Sequence, residues 1–294
     1  MASRQNPFLW RRSARRDFLA ASGAAAVGLA VGGARGEETG ARLPGLPKPA
    51  AKRTFELGLA SYTFRAFPLD KTLAMTRRVG LKYICLKSFH LPLEATPAQI
   101  AAAAAKVKAA GIVLYGCGVV SMNKEADVDR AFEYAKAAGM KTIVAAPKPE
   151  LLPLLDAKVR QYDIQVAIHN HGPGDRNFPT PRSIYEKVSG LDKRIGLCMD
   201  IGHTLRIGAD PIASAEKYAD RLLDIHMKDV SAASPAGQCV EAGRGVIDIP
   251  GFLRTLVRIK YRGVVSFEYE KDENDPLPGL AESVGYVRGV LAVI

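Results

Sequence analysis

Several apolar runs in this chain end on side chains that bind metal ions or move protons. Residues 195–201 carry Asp200 next to their end, with His203 just beyond Gly202. His226 and Lys228 close a second run, Glu268 and Glu270 a third, His169 and His171 a fourth, and Lys87 and His90 follow a fifth. Two carboxylates and an imidazole converging on one point suit a divalent ion, and a lysine or glutamate beside it can transfer a proton. Taken singly, each has a bland explanation, because an aspartate at a strand end commonly caps the next turn and a histidine commonly fills a core. All five histidines of the chain lie at such ends, which chance scattering rarely produces.

These side chains need a scaffold that gathers strand ends. The apolar runs fall at 57–64, 83–87, 113–120, 142–146, 165–171, 195–201, 222–228 and 264–270, separated by amphipathic or alanine-rich stretches such as 97–110 and 125–138. Eight strand–helix units of this length predict an α/β fold, a (β/α)₈ TIM barrel, whose active site sits at the C-terminal strand ends. An open doubly wound sheet is the rival, but Ser61-Tyr62-Thr63-Phe64-Arg65 after the first run is no glycine-rich phosphate loop. Residues at i and i+2 of a strand share a face, so His226 with Lys228, His169 with His171 and Glu268 with Glu270 each point the same way, the earlier member lying deeper.

Composition narrows the partners. The formal charge is +11, but residues 1–50 carry eight basic against three acidic residues, leaving +6 spread through the rest. No basic block interleaved with aromatics is present, which argues against nucleic acid and, with it, a metal-dependent nuclease. Cys85, Cys117, Cys198 and Cys239 show neither metal-ligand spacing nor the density of a disulfide scaffold, so they read as free and mostly buried. Arg15-Arg16-Asp17-Phe18-Leu19 and the small-residue run to Ala34 resemble a twin-arginine export signal. That resemblance implies a signal over 1–36, an extended linker over 37–53, a catalytic barrel over 54–294, periplasmic localisation and no stable membrane span once the signal is removed. The run is too short and too rich in glycine and alanine for a spanning helix. Self-association is left open.

The motifs Met199-Asp200-Ile201-Gly202-His203, Ile225-His226-Met227-Lys228-Asp229 and Phe267-Glu268, with the loop Gly243-Arg244-Gly245-Val246-Ile247-Asp248, resemble those of the xylose-isomerase-like barrels over about residues 55–290. That family includes sugar-phosphate isomerases and epimerases, ketose 3-epimerases and inosose dehydratases. The resemblance implies one divalent ion (Mn, Zn, Fe, Co or Mg), held by a glutamate on strand four, an aspartate on strand six, a histidine on strand seven and a glutamate on strand eight. The last three are Asp200, His226 and Glu268. Strand four here reads Thr142-Ile143-Val144-Ala145-Ala146-Pro147 and has no glutamate. Either Glu150 reaches back from its proline-rich turn or another side chain takes the place, with His169 the first choice and a substrate contact its alternative.

Expected roles follow from these positions. Glu268, Lys228 and Lys87 are the catalytic candidates, an ion near Lys228 being expected to depress its pKa. His171, His203, His90, Arg244, Arg206 and Glu270 are the candidates for contacting substrate. The expected function is a metal-dependent isomerase or epimerase of a sugar, keto-sugar or polyol, working through an enediolate. The missing strand-four glutamate opens two alternatives: a lyase acting on keto-sugar glycosides or cyclitols, and an exported sugar-binding protein without turnover.

Overall fold

The computed structural model describes residues 53–294; the twin-arginine stretch and nearly all of the linker lie outside the described residues. Eight parallel strands close into a barrel: β1 Glu56–Ala60, β2 Tyr83–Leu86, β3 Val113–Met122, β4 Thr142–Pro147, β5 Gln165–His169, β6 Ile195–Asp200, β7 Leu222–Met227 and β8 Val264–Phe267. Each pairs with its sequence neighbours, and β8 closes on β1. The helices lie between them: α1 Leu69–Arg78, α2 Pro97–Ala109, α3 Glu125–Ala137, α4 Leu152–Tyr162, α5 Pro181–Val188, α6 Ile201–Arg206, α7 Pro211–Lys217, α8 Ile249–Arg258 and α9 Leu277–Leu291. Among the described residues no helix is long and apolar enough to cross a membrane.

The runs read as continuous rather than alternating because both strand faces are buried. The outward face joins Leu59, Ile143, Val166, Leu197 and Ile225 to the helices. The inner face fills the barrel with Cys85, Tyr115, Val144, Ala167 and Cys198. Cys85, Cys117 and Cys198 are buried free thiols, as their sequence setting implies.

Short-range chemistry sets the helix starts. At α2 the Thr96 hydroxyl accepts from the Gln99 N–H while the Gln99 side chain accepts from the Thr96 N–H, with Pro97 at the first position. Asp200 does the same for α6, its Oδ1 accepting from the His203 N–H at 2.7 Å. Six of the eight strands end earlier than the apolar runs suggest, while β3 and β4 run on to Met122 and Pro147. The first run leaves the ladder at Ala60 and winds into a 3-10 turn, Ser61–Phe64. There Thr63 donates to Phe267 O and accepts from the Tyr269 N–H, which ties the first unit to the last. Lys87, His171, Lys228 and Glu270 likewise lie past the last paired residue of their strands.

Candidate metal centre

Ladder register brings the sequence-separated groups together. Asp200 is opposite His226 on the next strand, and His226 is opposite Ser266, two residues before Glu268. One ligand atom each from His169, Asp200, His226 and Glu268 lies within 4.8 Å of all the others, and all four residues are buried. His169 Nε2 stands 3.6 Å from Asp200 Oδ2, and His226 Nδ1 stands 3.2 Å from Glu268 Oε2. Neither contact has hydrogen-bond geometry, so both nitrogens of both rings are buried without a hydrogen-bond partner, and Asp200 Oδ2 has an ion-pair contact with Lys228 but no hydrogen bond. Leaving so many buried polar atoms unpaired in one place is costly. Two imidazoles and two carboxylates aimed at one point fit a borderline divalent cation.

Asp200 divides its work. Oδ1 caps α6, and that bond fixes the carboxylate so that Oδ2 faces the cluster. Its backbone is pinned by Asn170, whose side-chain oxygen accepts from the Asp200 N–H at 3.1 Å and whose amide donates to Asp200 O and to Thr204 Oγ1. Sequence reasoning passed over Asn170, although its place between His169 and His171 puts it at the edge of the site.

Lys228 is fully enclosed by the cluster. Its Nζ lies 3.0 Å from Asp200 Oδ2, 3.0 Å from Glu268 Oε2 and 2.9 Å from Glu270 Oε1. Burial opposes its charge, but these three carboxylates outweigh burial and raise its pKa well above the ordinary lysine value. The depression expected beside an ion concerns the metal-loaded site, whereas this shift is set by the chain's own carboxylates. Burial likewise opposes ionisation of Asp200 and Glu268. It is overcome for Asp200 by His203 and Lys228 and for Glu268 by Lys228 and His226, so both stay well below the usual carboxylate range. Burial lowers His169 to about 3 against the pull of Asp200, leaving a neutral imidazole, the form that ligates. His226 goes the other way, burial being outweighed by Glu268.

The two candidates for the strand-four place differ in position. Glu150 lies exposed in the turn after β4, outside the cluster, whereas His169 on β5 is inside it.

The other candidates spread over the mouth. His203 sits beside the cluster, its Nε2 3.9 Å from Asp200 Oδ2, and its ring packs 5.9 Å from that of His169. His171 packs edge-on against His169 with ring centres 4.5 Å apart, and its Nδ1 lies 3.3 Å from Asp175 at a half-exposed position. Arg206 reaches the site through His203, 3.3 Å from its Nδ1, and donates to Pro235 O. Lys87 donates to Val119 O at 2.8 Å; burial lowers its pKa while the Glu268 charge opposes that.

Two candidates lie elsewhere. His90 does not face the site: its ring nitrogens are taken up by Ser61 Oγ, Thr72 Oγ1 and the carbonyls of Phe64 and Phe67. Arg244 turns outward to a bidentate pair with Glu282 on α9. Beneath the cluster, and missed in the sequence, Asp224 accepts from the Tyr115 hydroxyl, which also meets Ser266. Burial pushes Asp224 up to about 7 despite His226.

Comparison with known proteins identifies the family of the fold. The sequence profile of the xylose isomerase-like TIM barrel matches residues 73–290. A rhizopine catabolism protein, MocC, of Rhizobium meliloti is 26% identical over 147 residues, 45% of each chain. An inosose dehydratase of Lacticaseibacillus casei is 27% identical over 135 residues, 40% of this chain and 44% of that one. The matched segment thus spans under half the length of these relatives. The solved structure of a 3-keto-D-glucoside 4-epimerase from E. coli superposes with a TM-score of 0.66 over 80% of this chain and 99% of that one, at 14% identity, which is a likeness of fold.

Proposed function

The chain belongs to the xylose isomerase-like TIM barrel family, and from that premise we propose that it is a divalent-metal-dependent enzyme that moves a proton next to the carbonyl of a sugar, keto-sugar or polyol. The observation that carries the reading is the buried set His169, Asp200, His226 and Glu268, whose ligand atoms lie within 4.8 Å of one another while all four imidazole nitrogens lack a hydrogen-bond partner. A bound divalent ion would act there as a Lewis acid, stabilising the negative charge of an enediolate.

The chain's own residues supply the rest. Glu268 is the base, held ionised by Lys228 and His226 although it is buried. Lys228 is the paired acid: its ammonium touches Glu268 and Glu270 and stays charged until a developing oxyanion draws its proton. Lys87, His203 and His171 line the mouth, where they can orient hydroxyl groups. The neutral His169 takes the place of a carboxylate that could act as a second base, which removes one partner of a two-base epimerisation.

Isomerisation or epimerisation is the first reading. A lyase that expels a β-substituent from the same enediolate is the second, favoured by that missing carboxylate and by the dehydratase among the relatives. Incubating manganese-loaded protein with keto-sugars and keto-glucosides in D₂O separates them. Deuterium uptake with the carbon skeleton intact supports the first, an unsaturated product supports the second, and inertness toward every probe under each of the five metals contradicts both in favour of a sugar-binding protein. Export through residues 1–36 belongs to the same proposal. Replacing Arg15 and Arg16 by Lys should keep the protein out of the periplasm, and unchanged fractionation would contradict it.

A further inference from the structure

The turn after β2 holds an aromatic side chain out into solvent in a fixed position. Phe89 is 55% exposed, more than any other aromatic residue among those described. A single exposed apolar residue is ordinary and needs no explanation. Phe89 differs because it is braced. His90 and Leu91 close a tight turn by donating their backbone N–H groups to Lys87 O. His90, locked by its four partners, packs edge-on against Phe89 at 6.5 Å. The candidate histidine that does not touch the site is therefore the buttress of the residue beside it.

Phe89 is also paired. Tyr62, on the 3-10 turn after β1, lies 5.9 Å from it, ring to ring. Tyr62 is in turn held by the Arg65 guanidinium at 4.9 Å from its ring centre, and Arg65 is tied to Glu273 and to Glu270 O. The Lys87 ammonium lies 5.9 Å from the Tyr62 ring and within the electrostatic reach of Glu268. Tyr62 and Phe89 thus form an aromatic wall on the turns after β1 and β2, tied to the rim of the candidate cluster through Arg65, Glu270 and Lys228.

We infer that this wall is a subsite for a second ring carried by the substrate, so that the molecule processed is a glycoside rather than a free monosaccharide or cyclitol. The inference rests on the sugar-site reading above. A ring bound over Lys228 and Glu268 satisfies its hydroxyls with charged and polar groups. The wall offers no hydrogen bond beyond the Tyr62 hydroxyl and fits a flat or C–H-rich ring face, such as that of a sugar or an aryl aglycone. A substituent on the anomeric oxygen supplies such a ring.

Equilibrium binding of phenyl glucoside, cellobiose and methyl glucoside to the full-length protein tests this, with Phe89→Ala and Asp200→Ala alongside. The ring-bearing ligands should bind wild type about fivefold tighter than methyl glucoside. Phe89→Ala should erase that preference without changing methyl glucoside binding, whereas Asp200→Ala should weaken all three alike. The aryl and disaccharide arms tell which kind of ring the wall prefers. A preference that survives in Phe89→Ala, or none in wild type, overturns the subsite. A preference lost in Phe89→Ala with binding indifferent to Asp200→Ala keeps the subsite and overturns the sugar-site reading. No binding of any ligand to wild type overturns both.

Discussion

At the scale of single residues, Lys228 is the group on which the chemistry depends most. One buried ammonium answers three carboxylates, so its removal leaves Asp200, Glu268 and Glu270 facing one another without a counter-charge. Lys228→Met should lower kcat by about 100-fold or more while metal analysis finds the ion still bound. Wild-type kcat in that variant would remove lysine from the proton path. Asp200, His226, Lys228 and Glu268 were legible in the sequence because residue type and strand-end position together limit what they can do. His169 was legible through the gap on strand four and its place on the neighbouring strand. His90 and Arg244 were misread for a common reason: their partners, Thr72 on α1 and Glu282 on α9, come from elements whose approach no local pattern records.

At the scale of elements, strand register did what sequence spacing could only suggest, setting Asp200 against His226 across a single ladder step. The eight runs predicted the eight strands, and the errors fell at their C-terminal ends. In six of the eight the chain leaves the ladder at the barrel rim while its residue types still look strand-like, and in β3 and β4 pairing continues past the run. The loop after β7 shows how the rim is held. The Asp229 carboxylate accepts from the N–H groups of Val230, Gly243, Gly245 and Ile247, and a Cβ at Gly245 would lie 2.2 Å from Asp229 Oδ1. Gly245 is thus a packing requirement around one buried carboxylate, whereas Gly243 is required by its positive φ and by the Tyr286 ring against it. Asp229→Ala should cost about 3 kcal/mol in chemical denaturation and increase hydrogen exchange at residues 241–247. Unchanged exchange there would show that the loop is held by other contacts.

At the scale of the whole molecule, the barrel stores a charge-sensitive group directly under its candidate centre. Burial raises Asp224 from 3.8 to about 7, so between those values the folded chain holds a proton that the unfolded chain has lost. Its contribution to stability is therefore intact below pH 3.8, falls as pH rises toward 7 and stays lost above. Asp224→Asn, compared with wild type in chelator, should gain stability across that window, by on the order of 2 kcal/mol at pH 8. A difference independent of pH would mean that Asp224 is ionised in the fold. All these readings converge on the claim that His169, Asp200, His226 and Glu268 hold one divalent ion. Metal titration with elemental analysis of untagged protein tests it most directly. The account predicts one equivalent per wild-type chain, none retained in Asp200→Ala, and affinity reduced at least about tenfold in His169→Ala. Wild type that binds no divalent ion, or Asp200→Ala that still retains one, would contradict it.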